Sequence, residues 1–577
     1  MKSKDNSVFN ISLLVVFSIV LWGLIFPNSF EVSFNALYEV LVTNVGWFYM
    51  IVMFALVVFA IWIAFSKYGK IKLGDDNSEP EHSNISWFAM LFSAGMGIGL
   101  VFWGVAEPLN HYVSPLSAEG GTVEAAQFAF NKSFFHWGFH PWAAYSVLAL
   151  ALAYMQFRKK KPAIISSIFI PLIGEERARG PIGKTIDILA IFATVTGVAT
   201  SLGLGTLQIN SGLNHMFNVP ENNLSQVLIV VIVTILFMMS ALTGLNKGIK
   251  ILSNTNVILA GIILLSAFVL GPTILITNTF TQEVGSYIGS FIQDSFHLSA
   301  HEDTSWFGNW TIFYWAWWIA WAPFVGTFIA RISKGRTIKE FVLGVLIAPA
   351  MVSFFWFTTF GTLGIELGPE IAATAIESTS TAFFVVMESY PLGTLISLVA
   401  VLLLCTFFIT SADSATFVLG MMSSNGALTP SNQKKVLWGV IQSLLALSLM
   451  LVGGLEMLQT AAIVAAFPFA IILAIAMYSL YVAVKSDEVV AKTKTVDQKQ
   501  MKEVVKWYKK MKNNGGLPDN SMDLQKSILE DPGSELKGSQ GKTIEKESEK
   551  SNPLESPDVK ERKDSKIVDV NLTSQEA

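Results

Sequence analysis

The chain has 577 residues, of which 52% are hydrophobic and only 14% are charged, and its formal net charge is −4. Soluble domains carry roughly 25% charged residues, so this composition excludes an ordinary soluble protein and indicates a membrane protein. The small negative charge argues against a nucleic-acid partner. The single cysteine, Cys405, excludes a disulfide within the chain.

Twelve segments are each apolar over about the 20 residues that a helix needs to cross a bilayer. The first is interpreted as a retained helix and not as a signal peptide, because no small-residue cleavage site follows it. We therefore predict an all-α membrane protein with twelve transmembrane helices. The predicted spans are 10–28, 48–66, 87–106, 133–156, 185–212, 226–245, 253–276, 306–330, 341–365, 394–420, 436–454 and 459–484.

The loops between these spans show a strong bias in basic residues. Nearly all loop lysines and arginines fall on one side of the predicted topology, and Lys132 alone falls on the other. Cytoplasmic loops are the ones enriched in lysine and arginine. The sequence thus predicts a multi-pass protein of the bacterial cell membrane, with both termini, including residues 1–9, in the cytoplasm.

Span three contains the segment SAGMGIG, in which Gly95, Gly97 and Gly99 alternate. Each glycine weakens a helix by up to about 1 kcal/mol relative to alanine. The three together predict a helix that opens and turns its backbone toward a cavity. The alternative is close helix packing through the small residues Gly95 and Gly99.

Spans four and eight each carry a stripe of aromatic residues on one helical face. The rings are Trp137, Trp142 and Tyr145 in span four, and Tyr314, Trp317, Trp318 and Trp321 in span eight. Aromatic faces attract a cation that has no hydrogen-bond donors, so two such stripes indicate a cage for a quaternary ammonium group. The alternative for either stripe alone is ordinary aromatic packing or an interface belt.

Three further segments carry weaker signals. Residues 277–300 show apolar residues at helical spacing, which predicts an amphipathic helix on the outer face or an ordinary loop helix packed on the protein. His136 and His140 are four residues apart, but we expect satisfied helix histidines and no metal site. In span ten, Thr410 and Ser411 offer hydroxyl oxygens suited to a monovalent cation, although such residues often bond to their own helix.

The chain beyond residue 484 differs in composition from the membrane domain, 10–484. Residues 485–512 are rich in lysine and predict a basic amphipathic segment that lies on anionic lipid. Residues 513–577 are acidic and predict a disordered tail. The two interpretations of this region are a solvated tail that orients the last span and a charge-sensitive regulatory arm.

Internal symmetry is suggested by the glycine-rich segment of span three and the segment WAPFVG, 321–326, of span eight. Interrupted spans at matching positions are typical of the two halves of secondary transporters. We therefore predict that helices 3–7 and 8–12 form two inverted repeats, preceded by two extra helices. No phosphate-binding loop, catalytic triad or redox pair occurs, so neither an enzyme nor an ATP-driven pump is predicted, and no cofactor is expected.

At SAGMGIG, FHWGFHPWAAY, FYWAWWIAWAPFVGTFIARISKGRT and FFITSADSA, the sequence resembles the betaine/choline/carnitine transporter family. The resemblance covers roughly residues 10–484 and is greatest to the sodium-coupled glycine betaine carriers of Gram-positive bacteria. It implies the leucine-transporter-like fold, which agrees with the predicted repeat, and a homotrimer. It also implies a substrate box of Trp137, Trp142, Tyr145 and Trp318, with Trp317 and Trp321 lining the inward path.

The same resemblance implies sites for sodium as the coupling ion. One site would use the carbonyls of Ser93, Met96 and Phe407 and the hydroxyls of Thr410 and Ser411. A second site would involve Thr194 and Phe324, but Val198 stands where the family has a second threonine, which leaves the stoichiometry open.

Together these features predict a sodium/glycine betaine symporter that accumulates an osmoprotectant under the control of its C-terminal arm. The backbone of Gly95, Gly97 and Gly99 would hold the carboxylate of the substrate. Ectoine, proline and choline are the alternative substrates. From a different functional class, the alternative is an osmosensor that binds betaine without transporting it.

Overall fold

The computed structural model describes residues 6–95, 97–243, 246–301 and 304–513, and within these ranges it is helical with no strand. The helices of the first half are α1 Ser7–Ile25, α2 Pro27–Phe65, α3 Asn84–Gly95, α4 Ile98–Val113, α5 Val123–Trp137, α6 Phe139–Ala153, α7 Ile170–Arg179, α8 Pro181–Phe217 and α9 Asn223–Thr243. Those of the second half are α10 Asn246–Leu270, α11 Thr273–Phe296, α12 Ser305–Phe307, α13 Phe313–Ile332, α14 Ile338–Glu366, α15 Pro369–Ile376, α16 Ala382–Glu388, α17 Gly393–Met422 and α18 Asn432–Asn513. Short 3₁₀ segments (Lys67–Lys70, Ile165–Phe169) and π segments (Tyr154–Arg158, Gly308–Ile312) join some of them.

Nine of the described helical segments are long and apolar enough to cross a membrane. This count is lower than the predicted twelve for two structural reasons. Predicted spans three and four are each built from two shorter helices, α3 with α4 and α5 with α6. The last two predicted spans both fall within α18, which contains two non-helical residues, Gly453 and Gly454. The protein is thus an all-helical, multi-pass membrane protein, and the count of twelve stays a prediction.

The helix break predicted in span three is present. Helix α3 ends at Gly95 and α4 begins at Ile98, and between them Gly97 has a non-helical conformation with φ −152° and ψ −138°. Met96 lies outside the described residues. The glycine-rich segment therefore does what its low helix propensity predicts, since it ends one helix and starts another inside a predicted span.

A second break, at Gly138 between α5 and α6, was not predicted. A Cβ on Gly138 would lie 2.5 Å from the carbonyl oxygen of Phe134 and 2.7 Å from the hydroxyl oxygen of Tyr287. Only glycine fits this close approach. The backbone N–H of Phe139 donates a 3.0 Å hydrogen bond to the Tyr287 hydroxyl, so α11 satisfies a backbone donor that the break leaves free.

The predicted interruption of span eight at 321–326 was wrong. Helix α13 continues through Pro323 without a break, and the irregular turn lies earlier, in the π segment Gly308–Ile312. Proline removes a single backbone hydrogen bond, which a helix packed among neighbouring helices tolerates. The inverted repeat, which was inferred in part from this interruption, stays a prediction.

Helix α11 confirms that the segment 277–300 is largely helical. One face is buried and includes Tyr287, while Ile288 and Ile292 on another face are each 65% exposed. The buried face is joined to α5 by a 2.6 Å ion pair between Lys132 and Asp294, both buried. Helix α11 is therefore amphipathic and is packed across the break between α5 and α6.

The chain divides into two compact units, residues 1–488 and residues 489–577. In the second unit the described backbone is helical to Asn513, which covers most of the predicted basic segment. The predicted acidic tail, apart from Asn513, lies outside the described residues.

Candidate functional site

A narrow cavity of about 20 Å³ lies where α4, α5, α8, α13 and α17 meet. Most of its lining residues are ones that the sequence singled out. They are Gly97, Ile98, Gly99, Leu100, Trp137, Ser201, Trp317, Trp318, Trp321 and Ser411. The glycine-rich segment, the aromatic stripes and the hydroxyl of span ten are thus brought together at one place.

Four tryptophans line this cavity, and three of their rings, those of Trp137, Trp317 and Trp318, contact one another. The rings of Trp317 and Trp318 are stacked, with centroids 4.9 Å apart and an angle of 17°. The ring of Trp137 stands nearly perpendicular to Trp318, at 79° and 4.8 Å. All three side chains are at most 5% exposed. Indole faces shielded from water attract a quaternary ammonium group, and the attraction is stronger there than at an exposed site.

Hydrogen bonds from the indole N–H groups hold these rings in place. Trp318 donates to the carbonyl oxygen of His136 (3.0 Å), and Trp317 donates to the hydroxyl of Ser201 (3.2 Å). Trp321 donates to the carbonyl oxygen of Gly197 (2.7 Å). Because the N–H is the only polar group of an indole, the faces of these rings are left for apolar or cation contacts.

Gly99 touches the rings directly. A Cβ built on it would lie 2.6 Å from the ring of Trp317 and 3.0 Å from the ring of Trp137. At Gly97, a Cβ would lie 3.7 Å from the hydroxyl oxygen of Ser411. The backbone of α4 therefore forms the side of the cavity that faces the indoles. Gly95 ends α3 on the other side of the break.

The close approach at Gly99 gives a direct test. We expect Gly99→Ala to raise the KM for transported substrate by roughly tenfold or more, because overpacking costs about 1–3 kcal/mol and the contacted rings line the cavity. Uptake kinetics in proteoliposomes measure this change. Gly261→Ala is the matched control, since Gly261 lies in helix α10 and its Cβ would meet no atom within 4 Å. Equal KM values for the two variants would contradict the assignment of Gly99 to the site.

Tyr145 and Trp142 lie behind the lining residues. The ring of Tyr145 is 6.2 Å from Trp318 at 88°, and that of Trp142 is 5.6 Å from Tyr145. The Tyr145 hydroxyl is buried and has no hydrogen-bond partner among the described residues. The structure thus brings Tyr145 to the cage and places Trp142 one ring further away.

The predicted first sodium site is only partly described. Ser411 lines the cavity, whereas the Thr410 hydroxyl donates to the carbonyls of Thr406 (3.0 Å) and Phe407 (3.2 Å). That hydroxyl also accepts a 2.9 Å hydrogen bond from the buried amide of Asn256. Thr410 is therefore bonded to its own helix, as the alternative interpretation expected. Of Ser93 only the helical backbone is described, and Met96 lies outside the described residues.

The predicted second sodium site stays a prediction. The buried Thr194 hydroxyl donates to the carbonyl of Ala190 (2.8 Å), and the ring of Phe324 lies 5.4 Å from that of Trp321. Val198, which replaces the expected threonine, is buried in α8 and offers no side-chain oxygen.

Comparison with known proteins identifies the type of protein to which this site belongs. The family model described as betaine/carnitine/choline family transporter matches residues 7–489. The chain belongs to the betaine/carnitine/choline family of transporters. It is therefore a transporter and not an enzyme.

Three named relatives illustrate the similarity of this transporter to others. The glycine betaine transporter OpuD of Bacillus subtilis is 48% identical over 87% of this chain and 99% of its own length. A probable glycine betaine transporter of Desulfitobacterium hafniense is 45% identical over 84% of this chain and 98% of its own. The ectoine/hydroxyectoine transporter of Virgibacillus pantothenticus is 44% identical over 82% of this chain and 95% of its own.

Sequence reasoning missed the lining residues Ile98, Leu100 and Ser201, and it also missed Glu107 in α4, which contacts the cage from behind. Its fully buried carboxylate accepts hydrogen bonds from the indole of Trp137 (2.7 Å) and the hydroxyl of Tyr314 (2.5 Å). Its other oxygen lies 2.7 Å from Nδ1 of His136. One carboxylate thereby joins α4, α5 and α13. The only signal in the sequence was a glutamate next to a predicted span. Because span three was predicted to end at residue 106, Glu107 was assigned to a loop.

The histidines near this carboxylate differ in their surroundings. Nε2 of His136 lies 2.9 Å from the Thr311 hydroxyl, and Nε2 of His140 lies 3.0 Å from the Ser295 hydroxyl. Each thus has a hydrogen-bond partner, as expected. His111 lies 3.6 Å from Glu107, and its ring nitrogens have no hydrogen-bond partner among the described residues. The 2.7 Å contact of Glu107 with His136 is a hydrogen-bond length. Since Glu107 also accepts from the indole of Trp137, Glu107 and His136 together hold the Trp137 ring in position.

Proposed function

We propose that this transporter imports glycine betaine together with sodium and serves as an osmoprotectant uptake system. The observation that carries the proposal is the meeting of Trp137, Trp317 and Trp318 with the broken backbone of span three in one cavity. A trimethylammonium group forms no hydrogen bonds and is attracted to the faces of aromatic rings. The cavity is narrower than that group, so we infer that the rings separate when substrate enters.

The other end of the substrate fits the start of helix α4. Ile98 and Gly99 open this helix at the cavity, and the first N–H groups of a helix have no partner within it. Such a helix start attracts a carboxylate. The indoles therefore suit the cationic end of glycine betaine and the α4 N-terminus suits its carboxylate. Choline has no carboxylate and would lose the second interaction.

Ectoine is the second candidate substrate. It carries a carboxylate and a delocalised cation, and a relative named as an ectoine/hydroxyectoine transporter is 44% identical to this chain. Proline remains a third alternative. Competition of unlabelled ectoine, proline and choline against labelled glycine betaine ranks the four compounds at the same site.

Sodium coupling is the second part of the proposal. Ser411 lies beside Gly97 at the cavity, so an ion held there would be next to the substrate carboxylate. Glycine betaine is a zwitterion, and co-transport of sodium makes each cycle electrogenic. Each positive charge moved inward gains about 2.3 kcal/mol per 100 mV of membrane potential.

The proposal is tested by uptake of labelled glycine betaine into proteoliposomes, with sodium and proton gradients imposed separately. We expect accumulation with an inward sodium gradient and none with a proton gradient alone. Equal accumulation with and without a sodium gradient would contradict sodium coupling. Counterflow in the same vesicles separates a transporter from an osmosensor, which binds betaine but exchanges none.

We further propose that the C-terminal arm activates transport under osmotic stress and that its basic segment binds anionic lipid. We also propose that both termini are cytoplasmic and that the protein is a homotrimer. The described contacts define where the arm should be cut. Asp487 is paired with Arg158 and Lys159, so a truncation should retain this residue.

Removal of residues 489–577 is expected to abolish or shift the activation of uptake by external osmolality while the KM for betaine stays the same. The reason is that the cavity lies entirely within residues 1–488, whereas residues 489–512, which are most of the basic segment, are removed. Initial uptake rates over a series of osmolalities measure the effect. An unchanged osmolality profile would contradict the regulatory role of the arm.

A further inference from the structure

An open aromatic groove of about 710 Å³ lies between α2 and α18, away from the substrate cavity. Its lining is almost entirely apolar and includes Phe59 and Trp62 of α2 and Met477, Tyr478 and Tyr481 of α18. The side chain of Trp62 is 43% exposed and that of Tyr478 is 60% exposed. A concave apolar surface of this size on two predicted transmembrane helices faces the surrounding bilayer or another protein.

The rings of the groove form one continuous surface. The centroid of Trp62 lies 5.7 Å from that of Phe59 and 5.8 Å from that of Tyr481. Tyr478 and Tyr481 are 6.4 Å apart. Tryptophan and tyrosine are enriched at the depth of the lipid headgroups, where one part of the ring is apolar and another is polar. These rings are therefore suited to a position where acyl chains meet headgroups.

Positive charge is confined to one end of this surface. The ammonium group of Lys485 lies 5.5 Å above the ring of Tyr481, and that of Lys67 lies 5.4 Å above the ring of Tyr68. The two tyrosine rings are 6.5 Å apart, so both ammonium groups are at the same end. Both lysines are exposed. Nearby, Lys339 lies 5.1 Å above Phe65, the last residue of α2.

We propose that this groove binds one anionic phospholipid. An acyl chain lies against Phe59, Trp62 and Tyr478, and the headgroup phosphate contacts Lys67 and Lys485. The charge and polarity of the groove match this ligand from end to end. The lysines also lie in segments predicted to face the cytoplasm, where the leaflet is rich in anionic lipid. A neutral phospholipid would fill the same groove but would not gain from the lysines.

The inference rests on the proposed binding of anionic lipid by the basic segment, to which Lys485 belongs, but the test measures retained lipid and does not depend on the proposed substrate or coupling ion. The purified full-length protein is mixed with equal amounts of phosphatidylglycerol and phosphatidylcholine that carry the same acyl chains, and bound lipid is counted by native mass spectrometry. We expect a preference for phosphatidylglycerol of about 30-fold, since each of two nearby lysines is worth about fivefold in affinity. The double variant Lys67→Gln with Lys485→Gln should lose most of this preference. The other lysines of the basic segment, which both proteins retain, account for what is left.

The control variant removes two exposed positive charges elsewhere, by Arg177→Gln with Lys160→Gln, and should retain the preference of the wild type. A second readout places the acyl chain. Phosphatidylglycerol with brominated chains should quench the fluorescence of the wild type more than that of Trp62→Phe. An equal preference in the Lys67/Lys485 variant and the wild type would overturn the proposal. The proposal would also be overturned if the wild type showed no lipid preference and Tyr478→Ala changed the number of subunits in the oligomer. The groove would then be an interface between copies of the chain.

Discussion

Replacement of Trp318 by leucine is expected to weaken the apparent affinity for glycine betaine by about 30-fold. Trp318 stacks on Trp317 and stands perpendicular to Trp137, so it contributes to both walls of the cavity. A cation enclosed by aromatic faces away from water gains about 2 kcal/mol or more, and leucine offers no such face. Trp318→Phe keeps an aromatic face and should retain part of the affinity. The measurement is the concentration dependence of initial uptake in proteoliposomes.

Trp47→Leu is the matched control for this prediction. Trp47 lies on α2, is 51% exposed and donates its N–H to the carbonyl of Asn44, three residues earlier in the same helix. The same chemical change there should leave the affinity for betaine unaltered. If Trp318→Leu is folded by gel filtration and has the affinity of the wild type, the substrate box is misplaced.

Replacement of Glu107 by alanine is expected to reduce the apparent affinity for betaine by roughly tenfold or more. The variant leaves the N–H of Trp137 and the hydroxyl of Tyr314 buried without their acceptor, and each such loss costs about 1–3 kcal/mol. The ring of Trp137 is then free to rotate out of the cage. Glu107→Gln retains a carbonyl oxygen that accepts from both donors, so it should restore most of the affinity.

Asp187→Ala is the control that distinguishes a loss of folded protein from a loss of substrate affinity. Asp187 is also a buried carboxylate, and it accepts hydrogen bonds from the backbone N–H and the hydroxyl of Ser166 (both 2.8 Å). It is not among the residues that line the cavity. Asp187→Ala should lower the amount of folded protein without a change in KM. An equal rise in KM for both alanine variants would contradict a positioning role for Glu107. So would a Glu107→Ala variant with wild-type affinity.

Most residues that line the cavity could be singled out from the sequence because their signals are local. Alternating glycines at Gly95, Gly97 and Gly99 lower helix propensity enough to mark a break, and the tryptophan stripes follow helical periodicity. Each of these features is visible within about ten residues. Their meeting in one cavity agrees with the resemblance to the family, which had placed them in one site.

The features that were missed depend on contacts between distant segments. The break at Gly138 is stabilised by the hydroxyl of Tyr287, which is far away in the sequence. Glu107 receives its hydrogen-bond partners from α5 and α13, and no local pattern shows that three such partners meet one carboxylate. In α13 the opposite error occurred, because the segment WAPFVG, 321–326, was taken as an interruption although the helix is continuous there.

The central claim is that aromatic faces hold the positive charge of the substrate. It is tested most directly by competition between labelled glycine betaine and 3,3-dimethylbutanoate in equilibrium binding without a membrane potential. This compound has the same shape and carboxylate, but a carbon atom replaces the charged nitrogen. The account predicts that it competes about 30-fold less well than unlabelled betaine, since the cation–π attraction is absent. Equal competition by the two compounds would show that the cavity recognises shape alone and would contradict the account.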